Sequence, residues 1–166
     1  VAGSGEVQCW GKNDHGQATP PQGSFTQLAA GSAHTCGQKA SGEVMCWGYG
    51  GRNRTKAPSG TFSSISAGHA HTCGVRTNGV LSCWGSNRSK QSEPPTGRFL
   101  AVSAGYASTC ALTEDRTLNC FGDNQYSQVS PPTSPFLSVA SGYSLACGVT
   151  AENTLDCWGG VPKRLF

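Results

Sequence analysis

Nine cysteines recur on a fixed step: Cys9, Cys46, Cys83, Cys120 and Cys157 are 37 residues apart, and so are Cys36, Cys73, Cys110 and Cys147. A thiol can bind a metal, attack an electrophile or form a disulfide, and spacing separates these chemistries. Structural zinc sites use close Cys-x-x-Cys or Cys-x-x-His pairs, whereas no two cysteines here are closer than ten residues. His34 and His71 precede a cysteine by two positions, but Ser108 and Leu145 take those places in later units, so no ligand set is maintained. Catalysis also lacks its supporting groups. There is no Gly-x-Ser-x-Gly or His-Glu-x-x-His string, the nine acidic residues are scattered, and no nucleophile stands beside His15, His34, His69 or His71. The reading is therefore of a non-enzyme with no catalytic residue, metal site or cofactor, whose cysteines form disulfides.

The elements that position these thiols follow the same step. Phe25, Phe62, Phe99 and Phe136 recur with it, as do Gly31, Gly68, Gly105 and Gly142, and then Trp10, Trp47, Trp84, Phe121 and Trp158. A unit of 37 residues thus occurs about four and a half times. Each unit reads as three short strands broken at glycines; in the second unit these are Phe62–Ala67, Ala70–Arg76 and Val80–Trp84. Thr77-Asn78-Gly79 fits a three-residue hairpin whose last position is left-handed, a place held by Gly42 one unit earlier, by Asn153 in the last unit and, poorly, by Arg116 in the third. Counting outward from that turn sets Cys73 opposite Cys83 at a non-hydrogen-bonded pair, within disulfide reach. The predicted bridges are Cys36–Cys46, Cys73–Cys83, Cys110–Cys120 and Cys147–Cys157, each contributing roughly 2–3 kcal/mol by loop-closure entropy. Cys9 has no partner and is free or intermolecular.

Composition agrees with a turn-dense, all-β chain. Of 166 residues, 23 are Gly and 9 are Pro, only 36% are hydrophobic, and long helices are disfavoured. A net charge of +3 falls short of the dense basic stripe of a nucleic-acid binder. No apolar run is long enough to insert in a membrane. The opening Val-Ala-Gly-Ser-Gly lacks the regions of a signal peptide, so any export signal is expected to have been removed or to lie outside this sequence. Four disulfides imply an oxidising compartment, and the expected location is secreted or cell-surface.

The strings AGHAHTCGVRTNGVLSCWG and WGKNDHGQATPPQGSFTQLAAGSAHTCG resemble the repeats of the regulator of chromosome condensation superfamily in an extracellular, cysteine-containing form, and are similar more loosely to Crinkly-type receptor ectodomains. The resemblance covers essentially the whole chain. It implies a β-propeller-like array of three-stranded repeats, each with a hairpin disulfide, in one repeat domain spanning 1–166. Its parts are an orphan strand at 6–10, repeats at about 25–47, 62–84, 99–121 and 136–158 with their connecting loops, and a tail at 159–166. Propellers close with four to eight blades, so an incomplete arc, a piece of a larger ring and a head-to-tail assembly all remain open. The superfamily hosts exchange factors, inhibitors, lectin-like binders and receptor ectodomains, and fold alone does not choose among them.

Function in repeat scaffolds sits on variable loops, here 11–24, 48–61, 85–98 and 122–135. The second and third carry Arg52, Arg54, Lys56, Arg88, Lys90 and Arg98 against only Glu93, a candidate basic patch that would steer an acidic protein surface or an anionic glycan. The alternative for these charges is a solvated loop surface. Asn53-Arg54-Thr55 and Asn87-Arg88-Ser89 are glycosylation sequons within the same loops. The recurring Trp reads better as blade core than as a sugar platform, because Phe121 replaces it once. The functional expectation is a secreted recognition module binding extracellular protein or glycan through its inter-blade loops. The alternatives are a structural subunit joined to copies of itself head to tail, and an inhibitor of a secreted enzyme.

Overall fold

A computed structural model describes residues 5–160; most of the expected tail, 161–166, lies outside the described residues. Twelve strands form four antiparallel blades of three: β1 Gln27–Ala30, β2 His34–Gln38 and β3 Val44–Gly48; β4 Phe62–Ala67, β5 His71–Arg76 and β6 Leu81–Gly85; β7 Phe99–Ala104, β8 Ser108–Thr113 and β9 Leu118–Gly122; β10 Phe136–Ser141, β11 Leu145–Thr150 and β12 Leu155–Gly159. In each blade the spatial order follows the chain. The all-β propeller array is thus the observed fold, with the second and third strands of the second unit starting one residue later than the sequence pattern suggests.

Hairpin geometry explains the disulfides. Cys36 faces Cys46, Cys73 faces Cys83, Cys110 faces Cys120 and Cys147 faces Cys157 in the β2–β3, β5–β6, β8–β9 and β11–β12 ladders. Their Cα atoms lie 4.0, 4.1, 4.0 and 4.0 Å apart, and all four bridges are closed. The turn position that favours glycine has φ of 86° at Gly42 and 84° at Gly79, and the chain keeps that conformation at Arg116 (φ 68°) and Asn153 (φ 61°). Arg116 carries a Cβ where none is welcome. Its turn is pinned instead by side chains: Thr113 Oγ1 donates to Asp115, Thr117 N–H donates to Thr113 Oγ1 at 3.0 Å, and Thr117 Oγ1 donates to Asp115 at 3.0 Å.

A three-stranded sheet cannot bury both faces alone, so blades stack. The first strands β1, β4, β7 and β10 pack on one another in succession, which places them innermost about the propeller axis; the second strands pack on the first strand of the following blade, and the third strands lie outermost. One core cluster joins Cys36 of the first blade to Phe62, Ile65 and Trp84 of the second, and another joins Cys110, Leu112 and Leu118 of the third to Phe136, Ala146 and Trp158 of the fourth. Within blades, Phe25–Trp47, Phe62–Trp84 and Phe136–Trp158 pack with ring centroids 5.7, 5.8 and 5.8 Å apart. The indoles also hold the preceding loop, donating Nε1–H to the carbonyls of Gln17, Arg54 and Gln128 at 3.1, 3.1 and 3.0 Å. These tryptophans are core, as the recurrence predicts.

Among the described residues no strand is assigned at 6–10, where the sequence pattern suggests an orphan strand. Its start keeps the repeat's geometry, because Gly5 accepts a hydrogen bond from Phe25 N–H just as Gly42, Gly79 and Arg116 accept from Phe62, Phe99 and Phe136.

Two histidines lock the blades together. His34 Nε2 is hydrogen-bonded to the Thr72 hydroxyl of the next blade at 2.9 Å, and His71 Nε2 to Thr109 at 2.8 Å. At the next seam Ser108 replaces the histidine and Ala146 the threonine, so both partners change together. Both imidazoles are fully buried, and Nδ1 of each has no partner. Burial first, then the Arg54 and His69 charges, hold His34 down at about 4; burial, His34 and His69 do the same for His71.

Two predictions follow from the turn and the seams. Arg116→Gly removes a strained side chain and should raise stability by about 0.5–1 kcal/mol, a net of relieved strain and added unfolded-state entropy; an unchanged or lowered melting temperature would contradict this. For the histidines, the folded pKa lies below the unfolded value of 6.5, so the unfolded chain binds more protons between them. Stability is therefore fully present above about 6.5 and falls as pH drops toward about 4, by about 3 kcal/mol per histidine. Denaturant melts of His71→Gln across this window should show a shallower loss than wild type, and an identical slope would remove His71 from the account.

Candidate functional site

The turns joining first to second strands, 31–33, 68–70, 105–107 and 142–144, meet around the axis at one end of the blades. The first three begin with glycine because they nearly touch the next turn: a Cβ on Gly68 would sit 2.1 Å from the Gly105 carbonyl oxygen and 2.6 Å from His71 Cε1. This approach lets His69 N–H donate to Gly105 O at 3.1 Å and Tyr106 N–H donate to Gly142 O at 2.9 Å. The residue after each glycine is thereby set beside its counterpart in the next blade. Ser32 leads a ladder of His69, Tyr106 and Tyr143, with ring centroids 4.3 Å apart for His69–Tyr106 and 4.1 Å for Tyr106–Tyr143. The four turns bound a groove of about 320 Å³, and Tyr106 and Tyr143 remain 41% and 67% exposed, so the ladder is presented rather than buried.

The loops leaving the third strands begin at the same end. Tyr49, Ser86 and Asp123 donate their N–H to Ala33, Ala70 and Ala107. Each loop then turns inward at a residue that recurs with the 37-residue step: Gln17, Gln91 and Gln128, and Arg54 in the second loop. The three glutamines fold back, their Oε1 accepting from the N–H of His15, Ser89 and Tyr126 at 2.9, 2.8 and 2.8 Å. Arg54 keeps the backbone role, since its carbonyl accepts from Trp84, but its guanidinium has no such use.

Arg54 is 8% exposed, its guanidinium lies 5.0 Å from the Tyr49 ring centroid, and its buried Nε–H has no hydrogen-bond partner. Burial and the neighbouring Arg52 cation push its pKa below the ordinary value, against a smaller opposing effect of Tyr49. It lines a cavity of about 220 Å³ between the second and third blades, together with Arg52, Arg88, His69, Ser86 and Tyr106. Burial and then Arg54 also lower the pKa of His69, so the field here is positive.

The structure divides the candidate basic patch. Arg52, Arg54 and Arg88 come together beside the aromatic ladder. Lys56 and Lys90 are exposed on the same two loops but do not line the cavity. Arg98 lies at the opposite, hairpin end, where its Nε donates to Glu114 at 2.9 Å. Asn53 is exposed, with φ of 60°, whereas Asn87 staples its loop by donating to Glu93 Oε1 at 2.8 Å and accepting from Ser92 N–H at 3.0 Å. Cys9 is a free thiol, and beside it Trp10 is 88% exposed at a groove of about 340 Å³ shared with Leu28 and Thr35. Sequence reading missed the ladder, although its signal was present as the residue after each recurring glycine. It also missed the glutamine place that Arg54 occupies.

The sequence profile of the regulator of chromosome condensation (RCC1) repeat matches residues 25–54, 62–91 and 99–128. No curated protein sequence matches the chain. Among solved structures, the chain is similar to the CRINKLY WD40 ectodomain of the Arabidopsis thaliana receptor kinase ACR4, at 26% identity and TM-score 0.79 over 97% of this chain and 64% of that one. It is also similar to the entire ectodomain of the Physcomitrella patens receptor kinase CR4, at 30% identity and TM-score 0.79 over 96% and 45%. Yeast RCC1 (Prp20), solved bound to Kap60, shares the fold at 19% identity and TM-score 0.72 over 84% and 45%. The chain thus spans less than two thirds of each of these structures. Its fold is that of a protein-interaction module, and among the described residues no helix is long and apolar enough to cross a membrane and no cluster of metal-ligating side chains occurs. With three of its four blades matched by the repeat profile, the chain belongs to the regulator of chromosome condensation (RCC1) repeat family.

Proposed function

We propose that this chain is an extracellular recognition module that binds an acidic protein partner on the face built from the axial turns and the second and third loops. The observation that carries this reading is the juxtaposition on that face of an exposed aromatic ladder with three arginines that have no acidic partner. Aromatic faces supply contact area at low entropic cost, and arginines beside them supply orientation and steering. Four disulfides favour an oxidising compartment, and the Crinkly relatives are receptor ectodomains. Yeast RCC1 was solved with a protein, Kap60, and Prp20p has binding properties toward Gsp1p and histones. An acidic surface on a secreted enzyme is one form such a partner can take.

A second reading, self-association, is favoured by Trp10. Its counterparts Trp47, Trp84 and Trp158 are buried, while it stands exposed beside the Cys9 thiol. Light scattering and non-reducing electrophoresis check it. Species larger than 17.2 kDa that vanish in Trp10→Ser or Cys9→Ser support assembly, and a monomer across the concentration range contradicts it.

The primary reading predicts retention on immobilised polyglutamate at low salt, weakening as salt rises, with roughly tenfold loss in the Arg52→Ser/Arg88→Ser variant and a comparable loss in Tyr106→Ser. Retention unchanged in both variants would contradict it, and stronger capture by a sulfated glycan column would reassign the partner from protein to glycan.

A further inference from the structure

Three of the four inter-blade loops turn inward on a glutamine that bonds its own loop, so a neutral side chain suffices for the fold at this place. The second loop puts an arginine there. A buried guanidinium normally faces a carboxylate or a set of carbonyls, because removing the charge from water is costly unless its donors are used. Arg54 has neither: the residue is 8% exposed, its buried Nε–H has no hydrogen-bond partner, and the neighbouring Arg52 carries a like charge. The contact with Tyr49 stabilises the cation from one side, and the residue lines the cavity of about 220 Å³. Ser86, Ser89, His69 and Tyr106 also line it.

We infer that Arg54 is the floor of a carboxylate-binding pocket that takes one Asp or Glu side chain of the partner polypeptide, with Arg52 and Arg88 at the rim. A carboxylate seated there meets the planar fork of donors that the loop leaves unused and restores charge balance at a buried cation. The neighbouring residues of the partner then lie over Tyr106 and Tyr143. This inference rests on the proposal that the axial face binds an acidic partner, and it assigns the residue that reads the acid, whereas Arg52 and Arg88 provide attraction without a fixed geometry.

Substituting Arg54 tests it, because Arg54→Gln installs the residue found at the same place in the other three loops and is expected to fold normally. Hexaglutamate binding measured by calorimetry should weaken at least tenfold in Arg54→Gln and about fivefold in Arg54→Lys, which keeps the charge and removes the fork. In wild type, acetate should move the Arg54 Nε–Hε resonance in a saturable way. If Arg54→Gln and Arg54→Lys bind hexaglutamate as wild type does while Arg52→Ser/Arg88→Ser does not, the buried pocket is overturned and the acidic-partner reading stands. If wild type binds no hexaglutamate at low salt, both are overturned. A hexaglutamate loss in Arg54→Gln that Arg54→Lys fully restores also overturns the pocket, since charge alone would then account for binding.

Discussion

The covering of each blade's middle strand by the first strand of the next is the contact on which the rest of this protein depends. β2, β5 and β8 are buried almost continuously, whereas β11, with no following blade among the described residues, alternates between buried and half-buried positions. Burial on both faces makes a middle strand core rather than surface. The disulfides sit at this seam: Cys36, Cys73 and Cys110 are fully buried, each anchoring a hairpin whose apolar complement is small. With 36% hydrophobic residues, the chain relies on covalent closure of short loops as well as on burial. Stacking also brings the axial turns into register, and from that register comes the aromatic ladder.

The repeat fixes a frame, and the departures from it carry the chemistry. At the histidine seams a polar pair links two blades, and both members change at the third seam, where Ser108 and Ala146 meet no such need. At the hairpin ends Arg116 is tolerated because threonine and aspartate side chains hold its turn. Arg54 is a departure of another kind, for no neighbouring side chain uses its donors. Its charge meets only the face of the Tyr49 ring, and a ligand carboxylate would complete its pairing.

Much of the architecture was legible because it is local. The 37-residue step, the three strands of each unit, the glycine of the hairpin turn and the pairing of Cys73 with Cys83 all follow from short-range pattern and turn geometry. Pairing is not a property of one segment: 6–10 has the composition of a third strand, yet among the described residues no strand is assigned there. The candidate site was legible only in part. Charge counting gathered Arg52, Arg54 and Arg88 but also Arg98, which the chain carries to the far end of the blade and pairs with Glu114. The stacking of His69, Tyr106 and Tyr143 depends on how closely three turns approach, a distance no linear pattern encodes.

The central claim is that one end of the propeller, and not its hairpin end, recognises an acidic polypeptide. Amide hydrogen exchange of the chain with and without hexaglutamate tests this most directly, since it reports where protection appears without altering any residue. The account predicts added protection in residues 49–54, 68–70, 86–91 and 105–107, with none in the hairpin turns 39–42, 76–79 and 113–117. Protection centred on those hairpin turns, or spread evenly over the blades, would contradict it.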